Sequence, residues 1–517
     1  MKTNNSYITM IAAVVALGGF LFGFDAAVIS GVIGFIRPEF DLNEIQIGWV
    51  VSSLTLTSTM AMAIAGPLSD RFGRKPILIL VGLFYAVSAL GSAMAPSYEI
   101  LVAARMLGGF AVGAALILAP MYIAEVAPAE RRGQMVSINQ LNIVLGFSAA
   151  YFANYYLLQA SGSDASWVKD FAIDTETWRW MLGLECLPAF IFFLAMFLVP
   201  ESPRWLLMNN RTAEAEKVLS KINGAEYAQA AIDTLHKGIQ EDAKKEGVPF
   251  MELFKPAMKL VLTIGVIVGV LQQITGINAI FFYATSIFEQ SGVGQDASFA
   301  QAVWLGIINV VFTIIAMVYI DRWGRKPLLL IGLTGIALSM FLTAYGFSQA
   351  TYTLSEANIA SLEFDQSLVS DMIGTTYEDD VTFKNALKER LESVTYGKLE
   401  GDLIQSSITM NPILVLIGIL GFVASFAISL GPVMWVLFSE LFPNRLRGLA
   451  ISFVGFVNSG VSFLVQFFFP WSIANLGNAI SYAIFGICAV IGLVILIGML
   501  PETKGKSLEE IEKELVK

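Results

Sequence analysis

Charge is scarce in this chain. Asp, Glu, Lys and Arg make up 14% of its 517 residues, against about 25% in ordinary soluble domains. With 56% hydrophobic residues and a mean hydropathy of +0.68, most of the surface is expected to face lipid, so domain counting by soluble-protein rules does not apply. Cysteine is almost missing. Cys186 and Cys488 both lie in apolar runs and read as small buried hydrophobes rather than a disulfide. The one histidine, His236, has no second to complete a metal site, so no metal is expected. There is no basic patch interleaved with aromatics, which argues against nucleic acid. No nucleophile–base set, metal cluster or phosphate-cradling loop is present, so neither an enzyme nor a cofactor is expected. No cleavable signal is evident either: the first apolar run, from Ile8 to about Ile36, is too long for a signal-peptide core.

What the chain does contain is a repeat. Asp70-Arg71-Phe72-Gly73-Arg74-Lys75-Pro76 returns as Asp321-Arg322-Trp323-Gly324-Arg325-Lys326-Pro327. Glu125-Val126-Ala127-Pro128 returns as Glu440-Leu441-Phe442-Pro443, and Pro200-Glu201 as Pro501-Glu502. The offsets are 321 − 70 = 251, 440 − 125 = 315 and 501 − 200 = 301. The increase of 64 marks an insertion in the second copy, and the drop of 14 a longer loop in the first. Short charged loops repeated between apolar segments indicate a duplicated helical membrane body.

Apolar stretches of about 20 residues count as spanning helices. Twelve are expected, near 8–36, 46–67, 76–95, 99–122, 135–158, 178–200, 259–288, 300–320, 327–347, 410–438, 449–473 and 480–500. The fold class is therefore all-α, in two six-helix bundles over 1–200 and 259–500. A charged linker with short amphipathic helices (201–258) joins them, and a tail (501–517) follows. Arg71, Arg74 and Lys75 follow span 2, Arg131 and Arg132 span 4, Arg322, Arg325 and Lys326 span 8, and Arg445 and Arg447 span 10. Basic exits from every one of these even-numbered spans put those loops and both termini in the cytoplasm. The insertion, 349–408, then faces outside. It holds eleven acids against four bases, a local charge of −7, and reads as a small, partly helical, solvated subdomain.

Charges inside spans are costly and each requires a reason. Span 1 carries Asp25, span 4 carries Arg105 and span 6 carries Glu185. An acid facing a membrane arginine works as a proton switch, ionised when paired and protonated when the pair opens. The alternative is a permanent salt bridge locking two helices. Glu185 reads equally as a proton carrier or as a neutral hydrogen-bond donor.

Span 7 holds Gln272, Gln273 and Asn278, then Tyr283. Three amides within seven residues are expensive in lipid unless they line a cavity. On an ideal helix Gln272 and Tyr283, eleven residues apart, share a face. Asn278 falls off it unless a break near Gly276 returns it. Amides and a phenol suit a neutral polyhydroxylated ligand. Asn139 and Gln140 in span 5, Trp435 after Gly431-Pro432 in span 10, and Asn458 in span 11 add to the set. Phe22, one turn before Asp25, is counted with them. Gly431-Pro432 is expected to act as a hinge. At the cytoplasmic ends Asp70, Arg71, Arg74, Glu125, Arg132, Arg322, Arg325 and Glu440 form a duplicated set of both signs, whose pairing is expected to close an inner gate.

Gly66-Pro67-Leu68-Ser69-Asp70-Arg71-Phe72-Gly73-Arg74-Lys75, Pro200-Glu201-Ser202-Pro203-Arg204-Trp205-Leu206, Gln272-Gln273 through Asn278 and Tyr283, Gly431-Pro432 through Glu440, and Pro501-Glu502-Thr503-Lys504-Gly505 together resemble the sugar porter family of the major facilitator superfamily. Within it the chain is most similar to the bacterial xylose–proton symporters and related glucose facilitators. The resemblance implies a central sugar site and alternating access. It implies that Gln140, Gln272, Gln273, Asn278, Trp435 and Asn458 bind sugar. It also implies that Asp25 is the coupling carboxylate, Arg105 its partner and Glu185 an intramembrane acid of the symporters. Two positions depart from the pattern: Phe147 stands where the xylose symporters carry a second glutamine, and Ser459 where close relatives carry tryptophan.

The expectation is a proton-coupled importer of a pentose or hexose in a bacterial cytoplasmic membrane. Its partners would be the sugar, the proton and the bilayer, and the protein a monomer. A passive facilitator, an Na⁺-coupled sugar or polyol carrier, and a non-transporting sugar sensor are the alternatives.

Overall fold

The computed structural model describes residues 5–128, 131–243, 249–360, 362, 364–443, 445–504 and 510. Twelve of its helices are long and apolar enough to cross a membrane, in the order expected. Spans 1–6 are Ser6–Glu39, Glu44–Phe72, Arg74–Ala93, Tyr98–Val126, Gly133–Ser161 and Thr177–Leu198. Spans 7–12 are Pro256–Phe282, Gly294–Ile320, Arg325–Ser348, Pro412–Leu441, Arg447–Leu476 and Asn478–Met499. Large apolar side chains stay exposed on their outer faces, among them Phe152, Leu198, Leu338 and Val494. In a soluble protein such a surface would aggregate; here it is the lipid contact.

The span ends follow local chemistry. Span 2 starts with a reciprocal cap: Gln46 N–H donates to Asn43 Oδ1 at 2.9 Å, and Asn43 N–H donates to Gln46 Oε1 at 3.0 Å. It stops at Gly73, whose φ of +105° is closed to L side chains, and span 8 stops likewise at Gly324, φ +90°. The duplicated loops therefore share a backbone solution as well as a sequence.

Three spans are broken. Span 6 is two helices, Thr177–Gly183 and Cys186–Leu198, with Glu185 at the junction. Span 7 continues past its apolar window as Lys259–Ile274, Ile277–Phe282 and Ala284–Glu289, with Gly276 left-handed at φ +97°. Span 10 breaks at Ser429, between Pro412–Ile428 and Leu430–Leu441. That is two residues before the hinge expected at Gly431-Pro432. Proline there sits within the first turn of the second helix, where its missing N–H costs nothing.

The linker forms helices Pro203–Met208, Thr212–Asn223 and Ala225–Ala243. They pack on one another through Trp205, Leu206, Leu219 and Ile232. Trp205 Nε1 donates to Asp70 O at 2.8 Å, fastening the linker to the basic end of the first half. Of the tail 501–517, residues 501–504 and 510 are described.

The insertion is a subdomain with its own core of Tyr352, Phe383, Leu387 and Leu403. Helices Asp380–Lys388 and Ser393–Ser407 stand on a three-stranded antiparallel sheet, ordered Thr376–Tyr377, Thr351–Thr353, Ile408–Thr409. Tyr352 pairs with Tyr377 on one side and Ile408 on the other. Strands of two or three residues carry no readable alternation, so the sheet was not anticipated. The subdomain is also less solvated than its composition suggested: it packs on the span ends opposite the basic loops.

Gly73→Ala should lower the melting temperature of the detergent-solubilised protein. It forces a side chain into positive φ and against Glu201 Oε2, a strain of roughly 1–3 kcal/mol. Gly66→Ala, with open space around it, should leave the melting temperature unchanged.

Candidate functional site

The first half holds its charges in the middle of the helices. Arg105 Nη1 donates to Asp25 Oδ1 at 3.0 Å, and Arg105 Nε donates to Val50 O at 3.1 Å. Asp25 is 3% exposed and Arg105 1%. Both are thus sealed from solvent, where an unpaired charge is not tolerated. The contact is a single hydrogen bond rather than a two-point fork, and Arg105 Nη2 has no partner. Gly108 makes the room: a Cβ there would stand 3.0 Å from Asp25 Oδ2. Glu185, also buried, interacts electrostatically with both Asp25 and Arg105, and Tyr85 with both acids. The three charges expected from sequence therefore form one cluster.

The second half holds an amide network. Asn458 Nδ2 donates to Gln272 Oε1 at 2.9 Å and to Gly269 O at 2.8 Å. Gln273 Nε2 donates to Asn458 Oδ1 and to Gln272 Oε1, both at 3.2 Å. Asn278 Nδ2 donates to Gln273 Oε1 at 2.8 Å and to Ser462 Oγ at 2.6 Å. The turn at Gly276 is what brings Asn278 back to Gln273. Gln272 Nε2 reaches Leu430 O at 3.1 Å, just past the break in span 10.

The network runs further than the sequence reading took it. Gln466 Nε2 donates to Ser462 Oγ at 2.8 Å, and Thr55 Oγ1, in span 2, donates to Gln466 Oε1 at 2.9 Å. Ser462, Gln466 and Thr55 were missed. The available signal was Asn458, Ser462 and Gln466 at i, i+4 and i+8, a polar stripe on an otherwise apolar helix.

Tyr283 is placed differently from the ideal-helix expectation. The breaks at Gly276 and at Tyr283 itself destroy the continuous register. Its hydroxyl donates to Gln466 O at 2.9 Å, and its ring packs against Phe469 at 5.2 Å. Phe22 lies edge-on to Phe147 at 6.2 Å, and Phe147 packs on Phe281 at 4.7 Å. The residue that departs from the family pattern thus makes an apolar contact between the halves. Gln140 is half-buried. Asn139, beside it, is buried with Oδ1 unpartnered. Trp435 is 48% exposed, edge-on to Phe438, and stands apart from the amide bonds. Ser459 Oγ lies 3.9 Å from Met62 Sδ.

Bonds between the halves cluster toward the end opposite the basic loops. Tyr151 Oη donates to Phe281 O at 2.6 Å, Thr285 Oγ1 donates to Ser30 O, and Trp49 packs on Phe463 and Phe467.

At the basic end the duplication is geometric. Arg74 Nε and Nη2 grip Glu125 at 3.1 and 3.0 Å, and Arg325 Nε meets Glu440 at 3.0 Å. Ser202 Oγ donates to Glu125 at 2.5 Å, and Thr503 Oγ1 to Glu440 at 2.7 Å. Glu201 accepts from the Arg74 and Lys75 backbone N–H groups, and Glu502 from those of Arg325 and Lys326. Burial pushes the Glu201 carboxyl up in pKa, although three backbone N–H bonds pull it down. Asp70 pairs with Arg74 at 2.8 Å. Arg71 lies over the Phe72 ring and Arg322 over Tyr319. The side chain of Arg132 lies outside the described ones. The Arg74–Glu125 and Arg325–Glu440 pairs each join elements of one half. Each repeat copy is complete in itself, its acid held by its own arginine.

Two six-helix halves with repeated basic loops, a buried charge cluster in one and a polar network in the other define a secondary transporter of the major facilitator type, not an enzyme. The profile described as "Sugar (and other) transporter" matches residues 11–363 and 394–515. The chain belongs to the sugar porter family of that superfamily. It is 35% identical to the arabinose-proton symporter of Bacillus subtilis over 512 residues, 99% of this chain and 96% of that protein. It is 33% identical to the D-xylose-proton symporter of Escherichia coli K12 over 542 aligned residues, 98% of this chain and 96% of that protein. The inward open conformation of the xylose transporter XylE from E. coli superposes with a TM-score of 0.74 at 32% identity, covering 98% of this chain and all of that one. This is a multi-pass membrane sugar transporter.

Asn458→Leu removes bonds to Gly269, Gln272 and Gln273 and strands their polar atoms. It should destabilise the second half by about 1–3 kcal/mol, read as a lowered melting temperature with membrane insertion intact.

Proposed function

We propose that the protein imports a monosaccharide, pentose or hexose, by proton symport across a bacterial cytoplasmic membrane, with the basic loops and both termini in the cytoplasm. The observation that carries this reading is the Asp25–Arg105 pair: fully buried, held by one hydrogen bond, and placed in the half that lacks the amide network. Protonation neutralises Asp25 and removes the attraction that holds Arg105 to span 1. Arg105 keeps its bond to Val50 O on span 2, so span 1 is the element set free. The relatives named as arabinose- and D-xylose-proton symporters support the coupling.

The amide network is the sugar site. Gln272, Gln273, Asn278 and Asn458 offer donors and acceptors without net charge, which suits hydroxyls. With no ligand bound they satisfy one another, so a sugar replaces bonds rather than filling a void. Gln140 from the first half and Trp435, with an open ring face, complete it on the cytoplasmic side. The closed contacts at Phe147–Phe281 and Tyr151–Phe281 belong to a state sealed outside, in line with the likeness to the inward open relative. In the cycle, sugar and proton enter with the outer side open. The halves rock about the central site, the outer contacts form, and both leave to the cytoplasm. One charge crossing 100 mV is worth about 2.3 kcal/mol, or roughly fiftyfold accumulation.

Proteoliposomes challenged with pentoses, hexoses and inositol test this. The substrate should alkalinise the outer medium as it enters; sugar flux with no proton movement makes the protein a passive facilitator. Asp25→Asn should abolish uphill accumulation and keep sugar exchange, whereas loss of sugar binding would refute a pure coupling role. Gln273→Ala should weaken sugar binding roughly tenfold with insertion unchanged; unaltered affinity would remove span 7 from the site.

A further inference from the structure

The insertion 349–408 belongs by chain to the second half, since it joins spans 9 and 10. Buried bonds fasten it there. Asp380 Oδ2 accepts from Asn478 Nδ2 at 2.7 Å and pairs with Lys384 at 3.2 Å, and Lys384 Nζ donates to Gln290 Oε1 at 2.6 Å.

The other edge of the insertion reaches the first half. Helices Asp380–Lys388 and Ser393–Ser407 meet the corner between spans 1 and 2. Glu400 pairs with Arg37, Arg37 with Glu44 at 3.5 Å, and Glu44 with Lys388 at 2.6 Å. The signs alternate along this chain of four; Glu400 and Lys388 come from the insertion, Arg37 and Glu44 from the corner. The Tyr396 ring faces both cations, 5.7 Å from Arg37 and 5.4 Å from Lys388. Ser393 Oγ donates to Asp41 Oδ1 at 2.6 Å.

The two edges differ in their access to water. On the second half, the side chains of Lys384 and Asp380 are 4% and 10% exposed. Parting such a pair strands a buried charge, so that attachment persists. On the first half, the side chains of Lys388 and Glu44 are 36% and 24% exposed. Water takes over these groups when the contact parts, so each bond on this edge is weak and reversible.

We propose that the insertion is an outer latch: carried by the second half, it holds the span 1–2 corner of the first half through the Glu400–Arg37–Glu44–Lys388 chain and keeps the outer mouth shut. This rests on the reading that places 349–408 outside. Asp380, Lys384, Lys388 and Ser393 lie in 364–393, the stretch that the sugar transporter profile leaves unmatched, so the latch stands outside the pattern shared by the family. Sugar from outside enters only when the latch releases. By making the open mouth the minor state, the latch lowers the apparent affinity for outer sugar in proportion to that state's population, without touching the amide site.

Sided thiol labelling of the full chain in right-side-out membrane vesicles tests it. Cys186→Ala and Cys488→Ala remove the native thiols, and Ser30→Cys is the reporter. Ser30 is fully buried where Thr285 of the second half meets span 1, so a membrane-impermeant maleimide reaches it from outside only through an open mouth. Lys388→Gln should raise the labelling rate roughly fivefold. Glu44→Gln breaks the same contact from the first half, leaves the insertion untouched, and should do the same. Arg390→Gln, which breaks the Arg390–Asp371 pair inside the insertion, should leave the rate alone. An unchanged rate in both Lys388→Gln and Glu44→Gln overturns the latch and leaves the outside placement standing. So does an equal rise in Arg390→Gln, which marks a general loosening of the subdomain. Ala357→Cys, on the exposed face of the insertion, reports sidedness: its failure to label from outside overturns the outside placement, and the latch with it.

Discussion

Inside lipid a polar group has no water to fall back on, and this one constraint organises the whole molecule. Asp25 and Arg105 are brought together from spans 1 and 4 because neither charge is tolerable alone; removing one partner of such a pair costs about 3–5 kcal/mol. The four amides of spans 7 and 11 are drawn into one mutual network for the same reason. At the basic end the guanidinium groups of Arg74 and Arg325 are held by Glu125 and Glu440, and the acids after spans 6 and 12 take up the backbone N–H groups that start spans 3 and 9. Each half is locked by its own polar contacts, so it can move as a rigid unit.

The proposed division of labour follows from that rigidity. The titratable cluster lies in the first half and the hydroxyl-binding network in the second. The Thr55–Gln466 bond and the aromatic contact of Phe147 with Phe281 connect the halves on the outer side. Coupling then needs no wire between proton and sugar: both act on the same equilibrium between two packings of the halves. The insertion adds contacts to the outer-closed packing, since Lys388 on it binds Glu44 of the first half while Asp380 on it binds Asn478 of the second.

Much of this was legible beforehand. Twelve apolar runs, the doubled Asp-Arg-Phe/Trp-Gly-Arg-Lys-Pro loop and two opposed membrane charges were enough for the fold class and for the Asp25–Arg105 pair, while the place of Glu185 beside that pair came from the fold. Gly276 was visible as the residue able to return Asn278 to the amide face, because only glycine enters the left-handed region cheaply. Other features were not readable. Tyr283 was assigned by ideal helical register, which fails once the helix is broken. Gln466 looked like one polar residue among many until its neighbours at four-residue spacing proved to face the same network. The gate arginines had partners of the right sign in either half, and sequence spacing does not choose between them.

The sequence by itself determined which segments enter the membrane and which residues there are too costly to leave unpaired, because hydropathy and charge are properties of local composition. Tertiary structure decided who pairs with whom. Asp25 and Arg105 are 80 residues apart, Gln273 and Asn458 185, and Lys388 and Glu44 344. Those meetings depend on how breaks at Gly276 and Ser429 re-aim helices and on how the two halves pack.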